Sequence, residues 1–134
     1  MSTRAFVVIT VLLVVGVGFL TSMLPTAGQV ELPPVEEGEV LVVLKSWRFV
    51  PDPLRVTAGT KVTFVNTDPV LHDVAQVPHD QVGVTEPSFH SPLLSRGDSW
   101  SFTFQEPGEY PIVCVQANHW RVGMVASVIV EPGP

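Results

Sequence analysis

Apolar and polar residues alternate along two short segments, Lys61-Val62-Thr63-Phe64-Val65-Asn66 and Ser99-Trp100-Ser101-Phe102-Thr103-Phe104. A period of two puts every second side chain on one face, so each segment predicts a strand with one face on a core and the other toward solvent. Further β-branched and aromatic runs predict strands at Val40-Lys45, Leu54-Val56, His72-Val77, Glu109-Cys114 and Gly123-Glu131. Turn-forming groups lie between them: Pro51-Asp52-Pro53, Ala58-Gly59, Thr67-Asp68-Pro69, Pro78, Arg96-Gly97-Asp98 and Pro107-Gly108. Pro78 to Leu94 is the least regular stretch and reads as loop or one short helix. No internal repeat is present, and the pattern from residue 39 onward predicts an all-β domain of two packed sheets.

The N-terminal pattern is different. Ala5 to Leu20 is almost wholly apolar, and extension to Leu24 gives about the 20 residues that cross a bilayer as a helix. Arg4 precedes this run and the next Lys or Arg is Lys45, a bias that places the N-terminus in the cytoplasm and the remainder outside. A cleaved signal peptide would have a shorter apolar core and a better cleavage site than Thr26-Ala27-Gly28, so residues 1–24 are read as an anchor. Either reading exports the domain, to the periplasmic or outer side of a cell membrane. Residues 25–38 carry Pro25, Pro33 and Pro34 with Glu31, Glu36 and Glu37, the composition of an extended linker. At about 3 Å per residue it reaches roughly 40 Å. Residues 39–134 form the domain.

Charge narrows the function. The net charge of -6, with Lys and Arg scattered among acids, excludes a nucleic-acid binder and suggests an acidic surface that selects a basic partner. Cys114 is the single cysteine, so no intramolecular disulfide forms, and none lies near the anchor to carry a lipid.

That cysteine opens the most informative stretch, Cys114-Val115-Gln116-Ala117-Asn118-His119-Trp120-Arg121-Val122-Gly123-Met124. Four residues separate Cys114 from His119 and four separate His119 from Met124. A thiolate, an imidazole and a thioether from one loop, joined by a second imidazole from His72, make the ligand set that selects copper for electron transfer. A lone buried thiol or core histidine is ordinary; the combination at this spacing within a sandwich pattern is not. His79 and His90 lack such support and are read as loop residues. Trp47, Trp100 and Tyr110 are read as core packing.

From about Glu39 to Glu131 the chain resembles the cupredoxins, the type 1 blue-copper family of plastocyanin, azurin, rusticyanin and auracyanin. Besides the ligand loop, the similarity covers Trp47-Arg48-Phe49-Val50-Pro51, Val56-Thr57-Ala58-Gly59-Thr60-Lys61-Val62-Thr63-Phe64-Val65-Asn66, Phe89-His90-Ser91, Gly97-Asp98-Ser99-Trp100 and Phe104-Gln105-Glu106-Pro107-Gly108-Glu109-Tyr110. The ligand loop is similar to those of the rusticyanin and auracyanin types. The resemblance implies a Greek-key β-sandwich, one copper ion on His72, Cys114, His119 and Met124, and exchange of single electrons with redox partner proteins. It also implies docking around an exposed edge of His119, where Trp120, Val70 and Leu71 would form an apolar rim.

The chain departs from the family at two places. Asp73 stands where plastocyanin-like sequences often have Asn; its carboxylate is expected to accept hydrogen bonds from the ligand loop and to lower the potential. Leu71 stands where azurin has Gly, so no fifth ligand is expected. Four protein ligands without an open position predict an electron carrier and no substrate turnover. Among the rivals, a copper chaperone or assembly protein needs exchangeable, often Met-rich sites, and the exported part has only Met124. A multicopper enzyme needs more histidines, and a dinuclear centre a second cysteine. A sandwich that binds no metal is the structural alternative.

Overall fold

The computed structural model describes residues 28–134. The apolar segment 5–24, read as a membrane anchor, lies outside the described residues; among those described, no helix is long and apolar enough to cross a membrane. Eight strands form two four-stranded sheets. One has the order β2 (Arg48–Val50), β1 (Glu39–Lys45), β4 (Thr60–Asn66), β6 (Ser99–Phe104); the other has β3 (Leu54–Thr57), β8 (Val125–Glu131), β7 (Gly108–Val113), β5 (Ala75–Gln76). β1 runs parallel to β4 and β3 parallel to β8, so the chain crosses between the sheets instead of folding into consecutive hairpins.

The core forms because the inward faces of both sheets are apolar: Val42, Leu44, Val62 and Phe64 from the first meet Ile112, Val128 and Val130 from the second. Phe89, Trp100, Phe102 and Phe104 extend it as an aromatic cluster, with Phe89 and Phe102 centroids 4.1 Å apart. Trp100 and Tyr110 pack against this core as expected, and the Tyr110 hydroxyl donates to the Glu106 carbonyl at 2.6 Å.

Three local differences from the sequence pattern have physical causes. The polar face of β4 is not solvated: Thr63 is buried, and its hydroxyl is bonded to Ser101 Oγ and to the Glu39 carboxylate, because β4 is central in its sheet. The strand expected at His72–Val77 shrinks to Ala75–Gln76, since the Asp73 and Val74 N–H groups go to Cys114 Sγ and Ser91 Oγ instead of to a neighbouring strand. β2 carries no strong sequence signal. It pairs with β1 through a two-residue turn, Ser46–Trp47, in which both residues have positive φ (53° and 62°). This is the hairpin geometry usually supplied by Asn-Gly.

Residues 28–38 contain no strand or helix. They lie against the domain: the Arg96 guanidinium donates to the Gly28 carbonyl, and Gln29, Val30 and Leu32 help to line a cleft of about 620 Å³ with Val43, Ser46 and Thr67.

Candidate metal centre

Loops from both sheets converge at one end of the sandwich. β7 ends at Val113 and β8 begins at Val125, and these residues face each other in register, so the intervening segment is a closed excursion between neighbouring strands. Within it, tight turns over Gln116–Val122, with Ala117 and Asn118 at φ 47° and 60°, bend the chain back. Trp120 N–H donates to the Cys114 carbonyl and Met124 N–H to the His119 carbonyl, at 2.9 and 3.2 Å. His72 comes from the loop after β4, held by its two-way backbone bridge to Leu94.

The donor atoms meet closely. His72 Nδ1 and His119 Nδ1 are 3.1 Å apart, and Cys114 Sγ is 3.7 and 3.5 Å from them. The centre of that triangle lies about 2.0 Å from each corner, the usual metal–imidazole bond length and some tenths of an ångström short of the roughly 2.3 Å of a metal–thiolate bond. Three lone-pair donors facing one point in a buried space fit a metal ion better than they fit one another. Among the described residues these three also form the one group of His, Cys, Asp or Glu with ligand atoms within 4.8 Å of one another. Met124 is fully buried in the same core cluster as Cys114.

A family model of copper binding proteins, the plastocyanin/azurin family, matches residues 38–131. The chain belongs to that family. This cupredoxin is 33% identical over 91 residues to plastocyanin A'/A'' of Nicotiana tabacum, covering 62% of this chain and 87% of the relative. It is 28% identical over 98 residues to amicyanin of Paracoccus denitrificans, covering 72% and 69%. The solved structure of an amicyanin mutant in its oxidized state superposes with a TM-score of 0.59 at 28% identity, covering 72% of this chain and 86% of that one. The cofactor expected from the sequence, copper, is thus that of the family.

Two carboxylates brace the cupredoxin centre. Asp68 Oδ2 lies 2.9 Å from His72 Nε2, while its oxygens also accept the Ser46 and Trp47 N–H groups at 2.8 and 3.1 Å. Burial alone would raise the Asp68 pKa; the Ser46 N–H, His72 and the Trp47 N–H outweigh it and hold the carboxyl below the ordinary carboxylate range. The Asp68 carboxylate therefore fixes His72 with Nδ1 toward the centre and stabilises the strained Ser46–Trp47 turn. Asp73 does the corresponding work for the cysteine loop. Its Oδ1 accepts Val115 N–H at 2.8 Å and Gln116 N–H at 3.3 Å, its own N–H points to Cys114 Sγ at 3.5 Å, and its Oδ2 pairs with His90 Nε2 at 3.0 Å. The hydrogen bonds expected of Asp73 are present. The His90 imidazole beside it was not foreseen.

Burial pushes the Cys114 thiol up to about 12, so without a metal it keeps its proton at neutral pH. Desolvation, then the neighbouring His72, lowers the His119 pKa, which leaves a neutral imidazole able to donate its lone pair. A copper ion held by His72, Cys114 and His119 would take the place of that proton and keep the Cys114 sulfur a thiolate.

Trp47 is not core. It is 42% exposed, and its indole stands edge-on to His119 with centroids 4.2 Å apart and to His72 at 5.7 Å, because the positive-φ turn tips it over the site. Trp120 packs instead against the small cluster of Ala75, Val77 and Val113. Val70 and Leu71 are exposed as expected, and with Trp47, Leu93 and Val122 they are the exposed large apolar residues of the loops that carry or flank the ligands. His79 sits in a short turn at His79–Gln81. Sequence reasoning missed Asp68, Trp47 and His90 as parts of the site. An acid four residues before a ligand histidine was the available signal for the first; the others depend on contacts across the fold.

Proposed function

We propose that this cupredoxin is a mononuclear blue-copper electron carrier, with His72, Cys114 and His119 as the strong ligands and Met124 as the weak fourth. The observation that carries the reading is the buried triangle of two imidazole nitrogens and one thiol sulfur with a centre about 2.0 Å from each. When bound, copper supplies a one-electron Cu(I)/Cu(II) couple. The chain's own contribution is to hold the donors still and dry. Asp68 orients His72, the Asp73 carboxylate fastens the start of the cysteine loop, and the hydrophobic core encloses Cys114 and Met124. Donors fixed in this way need little rearrangement between oxidation states, which favours fast electron exchange over substrate turnover.

Of the four side chains, His72, Cys114 and Met124 have no exposed surface and His119 retains 7%. Electrons therefore pass to and from redox partner proteins at the His119 edge, beside Trp47, Val70 and Leu71, through the small and short-lived contacts usual for redox encounters. The apolar segment 5–24 supports a tether that keeps the domain on the extracytoplasmic side of a membrane.

The test is the visible and EPR spectrum of the full chain in neutral detergent, titrated with Cu(II), with Cys114→Ser as control. An intense thiolate-to-copper charge-transfer band with narrow copper hyperfine splitting, saturating at one equivalent and lost in the control, is expected. A colourless protein, or copper binding indifferent to Cys114, would sink the reading.

A further inference from the structure

Four loops meet at the metal end: Ser46–Trp47, residues 67–74, residues 91–98 and residues 114–124. They are knit together by Thr67 N–H to the Leu44 carbonyl and Gly97 N–H to the Asn66 carbonyl, at 3.0 and 2.7 Å. The opposite end holds the start of β1, the Ala58–Gly59 turn, the turn before β7 and the end of β8, joined by Ala58 N–H to Glu131 and Gly59 N–H to Phe104 at 2.8 and 2.7 Å.

Charge is divided unequally between these ends. On and beside the metal-end loops Lys45, Arg48, Arg96 and Arg121 are exposed. The acids there are largely withdrawn: Asp68 and Asp73 are buried in the braces, and Asp98, although exposed, accepts the Ser95 N–H at 2.8 Å. At the far end Glu36, Glu37, Glu106 and Glu109 are exposed, while Glu39 and Glu131 have Lys61 and Arg55 as partners. Three further exposed acids, Asp52, Asp80 and Glu86, lie between these ends in the chain. Asp52 shares a cleft with Val113 and Val125, and Glu86 one with His90 and Val115, so the acids of the chain are spread over the far end and this flank while most of the exposed cations gather at the loops around the ligands. Arg48 adjoins Trp47 in the chain, and the Arg121 guanidinium lies 5.0 Å from the Trp120 ring centroid, two residues beyond His119.

We propose that the surface around His119 docks a redox partner whose contact face is acidic, with Arg48 and Arg121 as the ion-pairing groups beside an apolar centre of Trp47, Val70 and Leu71. This rests on the electron-carrier reading and names its partner class. At physiological salt, charges act over about 8 Å, so an encounter at this end senses the arginines beside the ligands more strongly than the glutamates of the far end. Rim charges of this kind set orientation and association rate. Anionic lipid would suit the arginines as well, but it accepts no electron from the one ligand that reaches the surface, which decides for a protein.

The test needs no copper. The full chain, copper-free in neutral detergent, is titrated with the paramagnetic anion hexacyanochromate(III) and separately with tris(ethylenediamine)chromium(III), a cation, while amide NMR line widths are followed. The anion is expected to broaden residues 46–48, 70–72 and 119–122, and the cation residues 36–39 and 106–109. Arg48→Glu with Arg121→Glu should abolish the anion effect, and Glu109→Lys should leave it intact. Cation broadening at the metal end, or anion broadening centred elsewhere, overturns the proposal. So does masking of the same amides when the chain is placed in nanodiscs rich in phosphatidylglycerol, which would seat this face on lipid. With copper bound, oxidation of the reduced protein by ferricyanide should slow as salt is added, and the double variant should lower the low-salt rate by roughly tenfold. A rate that rises with salt, following the net charge, overturns the proposal while leaving a blue protein an electron carrier. A chain that never turns blue sinks the carrier reading, and the broadening map then reports on the surface alone.

Discussion

His72 and His119 present the same ring atom to the same centre, 3.1 Å apart, yet the chain holds them by different means. His72 is fully buried and braced on its far nitrogen by Asp68, which is itself tied to Ser46 and Trp47. His119 sits on a loop, keeps a small exposed edge, and among the described residues its second nitrogen has no hydrogen-bond partner. One arm is fixed by the scaffold and the other is left open to the outside. A centre that must be rigid and still reachable divides those demands between its two imidazoles.

The sharpest way to break this contrast is to delete each ring. His72→Gly and His119→Gly should both lose the charge-transfer band, but free imidazole should restore it in His119→Gly alone, because only that vacancy borders the surface. Equal rescue in absorbance titrations would erase the distinction. Next in size is the brace. Asp68→Ala leaves two turn N–H groups and His72 without their acceptor and should destabilise the copper-free protein by about 2–4 kcal/mol in urea unfolding, with Asp68→Asn costing about half as much. The smallest effect is at the exposed arm: Trp47→Ala should cost about 1 kcal/mol yet speed the loss of Cu(I) to a chelator several-fold. An unchanged rate would mean that the indole does not shield His119.

Protonation separates the two conditions of the centre. With the Cys114 thiol raised to about 12 and His119 lowered, copper uptake at neutral pH should release about one proton from the thiol, so apparent affinity rises as pH rises. Calorimetry in buffers of different ionisation enthalpy counts that proton. For the copper-free protein the signs bound a stability window. The depressed His119 makes the unfolded chain bind protons first as pH falls below 6.5, and the raised Cys114 makes the unfolded chain lose its proton first as pH rises above 9.0. Both departures favour unfolding, so the urea midpoint should be highest between them and fall on each side.

The sandwich and the ligand loop were legible because their signals are local. Ser99–Phe104 alternates on a strict period of two, and Cys114, His119 and Met124 announce themselves by spacing. The Ser46–Trp47 hairpin was not, since neither residue is Gly, Asn or Asp, and its positive φ angles are held by a carboxylate more than twenty residues away. Without that turn Trp47 looks like any aromatic destined for a core. The burial of Thr63 and the shortening of β5 were hidden for the same reason: both depend on which backbone and side-chain groups meet across the fold. The placement of charge was not legible either, because linear composition says nothing of which end of a sandwich each residue occupies.

The register that places Val113 opposite Val125 also makes the segment between them a detachable unit. Its two ends are clamped by a strand pair that continues without interruption to Gly108 opposite Val130, so a longer or shorter excursion could be installed there with no strand displaced. Variation in this stretch would then alter the metal's surroundings while the architecture stayed constant, letting one inherited framework be retuned for different oxidants by exchange of a single cassette.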